Sequence, residues 1–130
     1  MQTSYKFSKE VSYSFEEALK KVQEELHKEG FGILTDIDVQ ATLKKKLDED
    51  TLPYRILGAC NPKLAHQALE AEPSIGVLLP CNVTVRISPT NKVIVEFMDP
   101  YGVLSLINNP KVDAIGKEVR EKMQRVKDRL

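Results

Sequence analysis

Along residues 5–11, Tyr5, Phe7 and Val11 fall on one side of an extended chain, and Lys6, Ser8 and Glu10 on the other. A period of two with one apolar side predicts a strand that has one face in a core. The period then changes. Phe15, Ala18, Leu19, Val22 and Leu26 recur at helical spacing, and Ser14 with Glu17 forms a capping box that starts the helix. The pairs Glu16/Lys20, Glu17/Lys21 and Glu24/Lys28 lace its exposed face. Gly30 is a natural C-terminal stop.

Residues 31–37 form a second strand candidate, and Asp38 can cap the helix that carries Val39, Leu43 and Leu47 at every fourth position. After Leu52-Pro53, residues 54–60 read as a third strand. Asn61 suits an N-cap and Pro62 the first helical position. Leu64, Ala65, Ala68 and Leu69 give that helix its buried face, and Pro73 stops it. The unbroken apolar run 75–79 predicts a central strand covered on both sides. Val83, Val85 and Ile87 alternate with polar residues, Pro89-Thr90-Asn91-Lys92 turns the chain, and Val93, Val95 and Phe97 complete a hairpin. Asp99-Pro100 opens a short helix through Leu106. Asn109-Pro110 opens a last one, with Val112, Ile115, Val119, Met123, Val126 and Leu130 on one stripe. Strands that first alternate with helices and then run as a hairpin predict an α+β fold: a mixed or mainly antiparallel sheet with helices largely on one face.

Composition narrows the partners. A chain of 130 residues suits one domain, residues 1–130, and needs no covalent staple to hold a core. Nineteen basic residues balance nineteen acidic ones, so no broad field draws a phosphate backbone and no nucleic-acid partner is expected. The opening residues lack the basic and apolar regions of a signal peptide, and no apolar run approaches the ~20 residues that span a bilayer. The expectation is a cytoplasmic protein with no membrane partner, whose two cysteines are free thiols.

Those cysteines carry the strongest candidate chemistry. Each is followed by asparagine, and each adjoins an apolar, strand-like run: Leu57-Gly58-Ala59-Cys60-Asn61-Pro62 and Leu78-Leu79-Pro80-Cys81-Asn82. Cys60 would lie just ahead of a helix N-terminus, whose amides and dipole favour a thiolate. A thiolate serves as nucleophile or soft-metal ligand. Cys60 also reads as a small buried hydrophobe at a strand end. Cys81 lies 21 positions further on, so any shared site must come from the fold. Asn61 and Asn82 place amide donors beside the thiols; a turn hydrogen bond also explains Asn82, and capping is the favoured reading of Asn61. His66, in the helix after Cys60, is a third candidate ligand if zinc or copper is bound. Otherwise it is an exposed helical histidine. Asp36 and Asp38 share a strand face, which suits a hard cation or acid–base work, although capping explains Asp38 and solvent exposure explains Asp36. His27 sits where it can meet a helix C-terminal dipole. Tyr54, ~20 Å from Cys60 along an extended strand, belongs to a different site. The chain has no glycine-rich phosphate loop, H-E-x-x-H or nucleophile elbow.

The stretches Gly30-Phe31-Gly32-Ile33-Leu34-Thr35-Asp36-Ile37-Asp38, Tyr54-Arg55-Ile56-Leu57-Gly58-Ala59-Cys60-Asn61-Pro62 and Leu79-Pro80-Cys81-Asn82-Val83 resemble the domain-of-unknown-function family 302. Ala65-His66, Ala68-Leu69 and Met98-Asp99-Pro100 fit the same pattern. The resemblance implies an α+β domain with a curved sheet like that of the TATA-binding-protein-like (TBP-like) fold, often dimeric, and it implies no reaction. Its pattern carries over to Cys60, Asn61, Cys81, Asn82, Asp36, Asp38 and Asp99. Three readings follow. The first is a module binding a small molecule or metal ion at a rim formed by Cys60, Asn61, Cys81 and Asn82. The second is a redox protein or enzyme using Cys60 as nucleophile. The third is a structural homodimer. The binding module ranks first because no base is poised beside either thiol.

Overall fold

The computed structural model describes residues 5–130. Residues 1–4, part of the stretch searched for a signal peptide, lie outside the described residues. Strand β1 (Lys6–Val11) leads into helix α1 (Phe15–Lys28), then β2 (Gly32–Asp38), α2 (Val39–Leu47), β3 (Tyr54–Cys60) and α3 (Pro62–Ala71). A 3-10 segment (Pro73–Leu78) precedes the hairpin of β4 (Cys81–Ile87) and β5 (Val93–Met98). Helix α4 (Pro100–Leu104), a 3-10 turn (Ser105–Ile107) and the long α5 (Pro110–Asp128) complete the chain.

The local signals act as the sequence predicts at most boundaries. Ser14 Oγ accepts from Glu17 N–H at 3.2 Å while Glu17 Oε1 accepts from Ser14 N–H at 3.3 Å, closing the capping box. Gly30, at φ +86°, ends α1, with Gly30 N–H donating to His27 C=O and Phe31 N–H to Leu26 C=O. That pairing is the Schellman arrangement, which needs a residue free to adopt positive φ. Asp38 Oδ1 accepts from Ala41 N–H at 2.9 Å and caps α2.

The five strands pair in the order β1-β5-β4-β3-β2, and all four pairings are antiparallel. The α+β class stands, and the architecture is compatible with the TBP-like expectation. Leu57, Val83, Val85, Val95 and Phe97 are fully buried on one sheet face. They meet Ala18, Val22 and Leu26 of α1 and Met123 and Val126 of α5 in one core cluster. Each of the Val, Leu, Phe and Met side chains contributes about 1.5–3 kcal/mol by leaving water. Phe7 stacks on Phe97, its partner in register, with centroids 5.3 Å apart. A second, smaller cluster joins Ala68, Ile75, Leu104 and Val112.

One element differs from expectation. Residues 75–79 form no central strand, and the 3-10 segment occupies most of that run. Pro73 and Pro80 bracket it, each lacking a ladder donor, and Gly76 weakens extended structure between them. Only Ile75 is buried there, as an anchor of the second cluster, whereas Val77 is 87% exposed. The centre of the sheet is β4 instead.

An ionic clamp fixes the ends of α1 and α5. Glu25 is buried, and its carboxylate meets Lys21 at 3.3 Å, Lys28 at 2.9 Å and the Arg129 guanidinium. Glu29 holds Arg125 and Arg129, each at 3.0 Å. Hydrogen bonds from Lys28 and Arg129 hold the Glu25 carboxyl down at about 2.

Candidate functional site: an apolar cavity with two thiols

Cys60 is the last residue of β3, where the chain turns into α3, and Cys81 is the first of β4. Ala59 and Cys81 stand opposite each other in the β3–β4 register, so Cys60 lies one step beyond that pair. The fold therefore brings together two thiols that the sequence separates. Both line a cavity of about 320 Å³. Leu64, Ala68 and Leu69 of α3 wall one side, Ile115 and Val119 of α5 another, and Gly76 and Leu79 a third. The cavity lies between the two core clusters and draws residues from each, among them Ala59 and Leu64 from the larger and Ala68 and Leu104 from the smaller.

Among the described residues, no charged side chain lines it. Asn61 does, but both ends of its amide are engaged. Oδ1 accepts from Leu64 N–H at 3.3 Å as the cap of α3, and Nδ2 donates to Glu29 C=O at 3.4 Å. Its role is to join the α3 start to the α1 end.

The expected lowering of the Cys60 thiol does not occur. Cys60 is half-buried, and burial pushes its thiol above the ordinary range. The apolar wall outweighs the helix start behind it. Cys81 is buried, and its thiol is pushed up to about 12, first by burial and then by the neighbouring Cys60. Both sulfurs are thus neutral thiols near neutral pH.

Two residues grouped with the thiols on sequence grounds lie elsewhere. Asn82 follows Cys81 by one position, and the pleat turns successive side chains to opposite faces. It lines a groove of about 400 Å³ on the other sheet face with Tyr54, Thr84, Arg86 and Glu96. There Glu96 Oε1 accepts from Arg86 Nε at 2.9 Å and from Thr84 Oγ1 at 3.0 Å, which keeps the carboxyl below its usual range. His66 points away from the cavity: its side chain is 75% exposed and pairs with Glu70 at 3.2 Å. Among the described residues no three His, Cys, Asp or Glu side chains are grouped to hold a metal ion. Asp36 binds Arg55, with Arg55 Nε donating at 2.8 Å, so this carboxylate is committed to an ion pair. Asp99 is buried and caps α4 through Tyr101 N–H and Gly102 N–H.

Several cavity residues carried no signal as a site. Leu34 reaches the cavity from a bulge in β2, where the register slips between Ile33 and Thr35. Ile115 and Val119 look like ordinary core positions of an amphipathic helix.

Fold and cavity together define a small α+β domain: an antiparallel sheet with helices on one face and an apolar chamber beside its β3–β4 junction. The chain belongs to the family described as Domain of unknown function DUF302, whose model matches residues 7–130. Its structure is similar to that of an uncharacterized conserved DUF302 protein from Bacillus stearothermophilus, with a TM-score of 0.90 and 26% identity over 96% of this chain and 97% of that one. Among curated proteins, none matches this chain. Among the described residues, no helix is long and apolar enough to cross a membrane.

Proposed function

We propose that the chain is a binding module for a small, neutral, apolar molecule held in the cavity between α3, α5 and the β3–β4 junction. The observation that carries this reading is the lining: about 320 Å³ of space with apolar walls, two neutral thiols and, among the described residues, no charged side chain. Pockets of this size that hold small ligands are largely apolar, with few polar groups to fix orientation. A carboxylate or phosphate inside would go unpaired at high cost. The thiols serve here as soft, polarizable wall atoms. The enzyme alternative is less favoured, because a nucleophilic Cys60 needs a base or cation nearby and burial acts the other way. Zinc is likewise less favoured, since two thiols alone leave a tetrahedral ion short of ligands, and copper because a metal ligand must be a thiolate whereas burial keeps both sulfurs protonated.

The test uses a neutral apolar fluorophore, N-phenyl-1-naphthylamine, with native mass spectrometry of the purified protein in parallel. Ala68 is buried and lines the cavity. Expected are saturable fluorescence enhancement and at least a tenfold loss of affinity in Ala68→Leu with the fold retained by circular dichroism. Equal affinity in a folded Ala68→Leu variant sinks the proposal.

A homodimer is a second reading, favoured by the sheet face turned away from α1 and α5, where Ile37 is 47% exposed. Sedimentation showing only monomer at high micromolar concentration removes it.

A further inference from the structure

We infer that the cavity takes a neutral amphiphile with its polar group at one end, seated with the apolar body inside and that group in water at a mouth between Leu34 and Leu69. This rests on the cavity reading above and adds the ligand's class and orientation. Exposure locates the mouth. Inner walls such as Leu64, Ala68 and Leu104 are buried, whereas Leu34 is 66% and Leu69 41% exposed, and all five line the cavity. A side chain that both lines a cavity and meets solvent stands at its opening. The β2 bulge puts Leu34 there. Ile33 pairs with Ala59 and packs on the core under the sheet, while Thr35 pairs with Gly58 and meets it on the opposite face. Regular alternation would send Leu34 to that opposite face too. Unpaired in the bulge, Leu34 stays on the helix side with Ile33 and reaches the cavity. Strand β2 is an edge of the sheet, so solvent meets Leu34 from the flank.

The interior sets the orientation. Among the described residues, the only polar side chains in the lining are the two thiols and Asn61. Asn61 is committed to the α3 cap and to Glu29 C=O. Thiols are weak donors and weak acceptors. A hydroxyl or carbonyl buried among these walls loses its bonds to water and gains little in return. At the mouth water keeps those bonds. A molecule with its one polar group at an end suits both regions at once. A molecule with that group in mid-chain must either bury it or leave part of the chamber empty.

The experiment displaces N-phenyl-1-naphthylamine from the full chain with competitors kept below their aggregation concentrations. Decan-1-ol and decan-5-ol contain the same atoms and differ only in where the hydroxyl sits. Decan-1-ol should bind about tenfold more tightly. A charge exchange then locates the polar end. Leu34 is exposed, so a charged side chain there leaves the core packed. Leu34→Lys should favour decanoate over decylammonium by about tenfold relative to Leu34→Glu. The same exchange at Leu47, which is 64% exposed on α2 and outside the cavity lining, should leave that ratio within about twofold, as expected of a charge screened by salt. Equal affinities for the two decanols overturn the seating. An unchanged ratio across the Leu34 variants, or an equal shift in the Leu47 variants, overturns the mouth. Failure of the fluorophore to bind the parent protein sinks the cavity reading itself. Fluorophore binding with no preference between the decanols sinks the amphiphile alone.

Discussion

Gly58 offers the sharpest test of how the thiol-bearing strand ends are packed. It faces Thr35 across the β2–β3 pair, and a Cβ built there would lie 2.2 Å from Thr35 Oγ1 and 2.8 Å from Pro80 Cγ. Both are far inside contact distance. Thr35 can rotate its hydroxyl away, but Pro80 is a ring attached to the residue before Cys81. Gly58→Ala therefore forces either the β2–β3 pair or the start of β4 to shift. Overpacking of this kind costs ~1–3 kcal/mol. Alanine offsets ~0.4–1 kcal/mol of that by restricting the unfolded chain. The net expectation is a loss of about 1–2 kcal/mol, or a Tm fall of roughly 3–10 °C for a domain of this size. Urea unfolding should move the midpoint at constant m. The double variant Gly58→Ala/Thr35→Ala should recover part of the loss, since Pro80 still stands in the way. A Gly58→Ala protein as stable as the parent, or strict additivity in that cycle, would refute the packing argument.

The remaining predictions concern charge, thiols and a cap. The Glu25 carboxyl is held below its ordinary value, so its contribution is complete above pH 4.5 and is lost as pH falls towards about 2. Acid unfolding followed by circular dichroism should show Glu25→Gln with a flatter pH dependence across that interval; an unchanged profile would remove the clamp's role. In iodoacetamide titrations at pH 8, Cys60 should react more slowly than free cysteine, and Cys81 should stay unmodified until the protein unfolds. Rapid labelling of two thiols in the folded state would contradict the burial described. Asn61→Ala removes the α3 cap and the bond to Glu29, with an expected cost of about 1–2 kcal/mol by chemical denaturation.

The fold was legible wherever a local cause decides a local outcome. Ser14/Glu17, Asp38 and Asn61-Pro62 fix helix starts through bonds spanning three residues, and these work in isolation from the rest of the chain. The hairpin of β4 and β5 reads the same way, with alternation on both sides of a short turn. Residues 75–79 misled because an unbroken apolar run is shared by central strands and by segments that anchor at one point. What decided the case was the proline at each end and the lack of a neighbouring strand for this segment. The second is a tertiary fact. Strand order is tertiary too: placing β5 between β1 and β4 depends on which faces find each other across nearly the whole chain.

The site was legible only in part, for a related reason. Cys60 and Cys81 were visible as thiols beside strand ends, but their neighbourhood comes from the β3–β4 register. The helix start ahead of Leu64 is visible in the sequence around Cys60, whereas the walls that surround its thiol are not. Those walls come from α5, α3 and the 3-10 segment, and their apolar residues look like core in any linear reading. Burial then reverses the sign of the effect on the thiol. Asn82 is the reverse case: it is next to Cys81 in sequence, yet one step along a strand is enough to move a side chain through the sheet. A cavity between two cores has no motif, because its wall residues are the apolar side chains that also pack the cores. It arises where the larger cluster under the sheet meets the smaller one around Ile75 through half-buried Leu79 and Ile115, which pack against both and line the cavity. That origin explains why it is apolar and why it opens at strand ends, with two thiols among its walls.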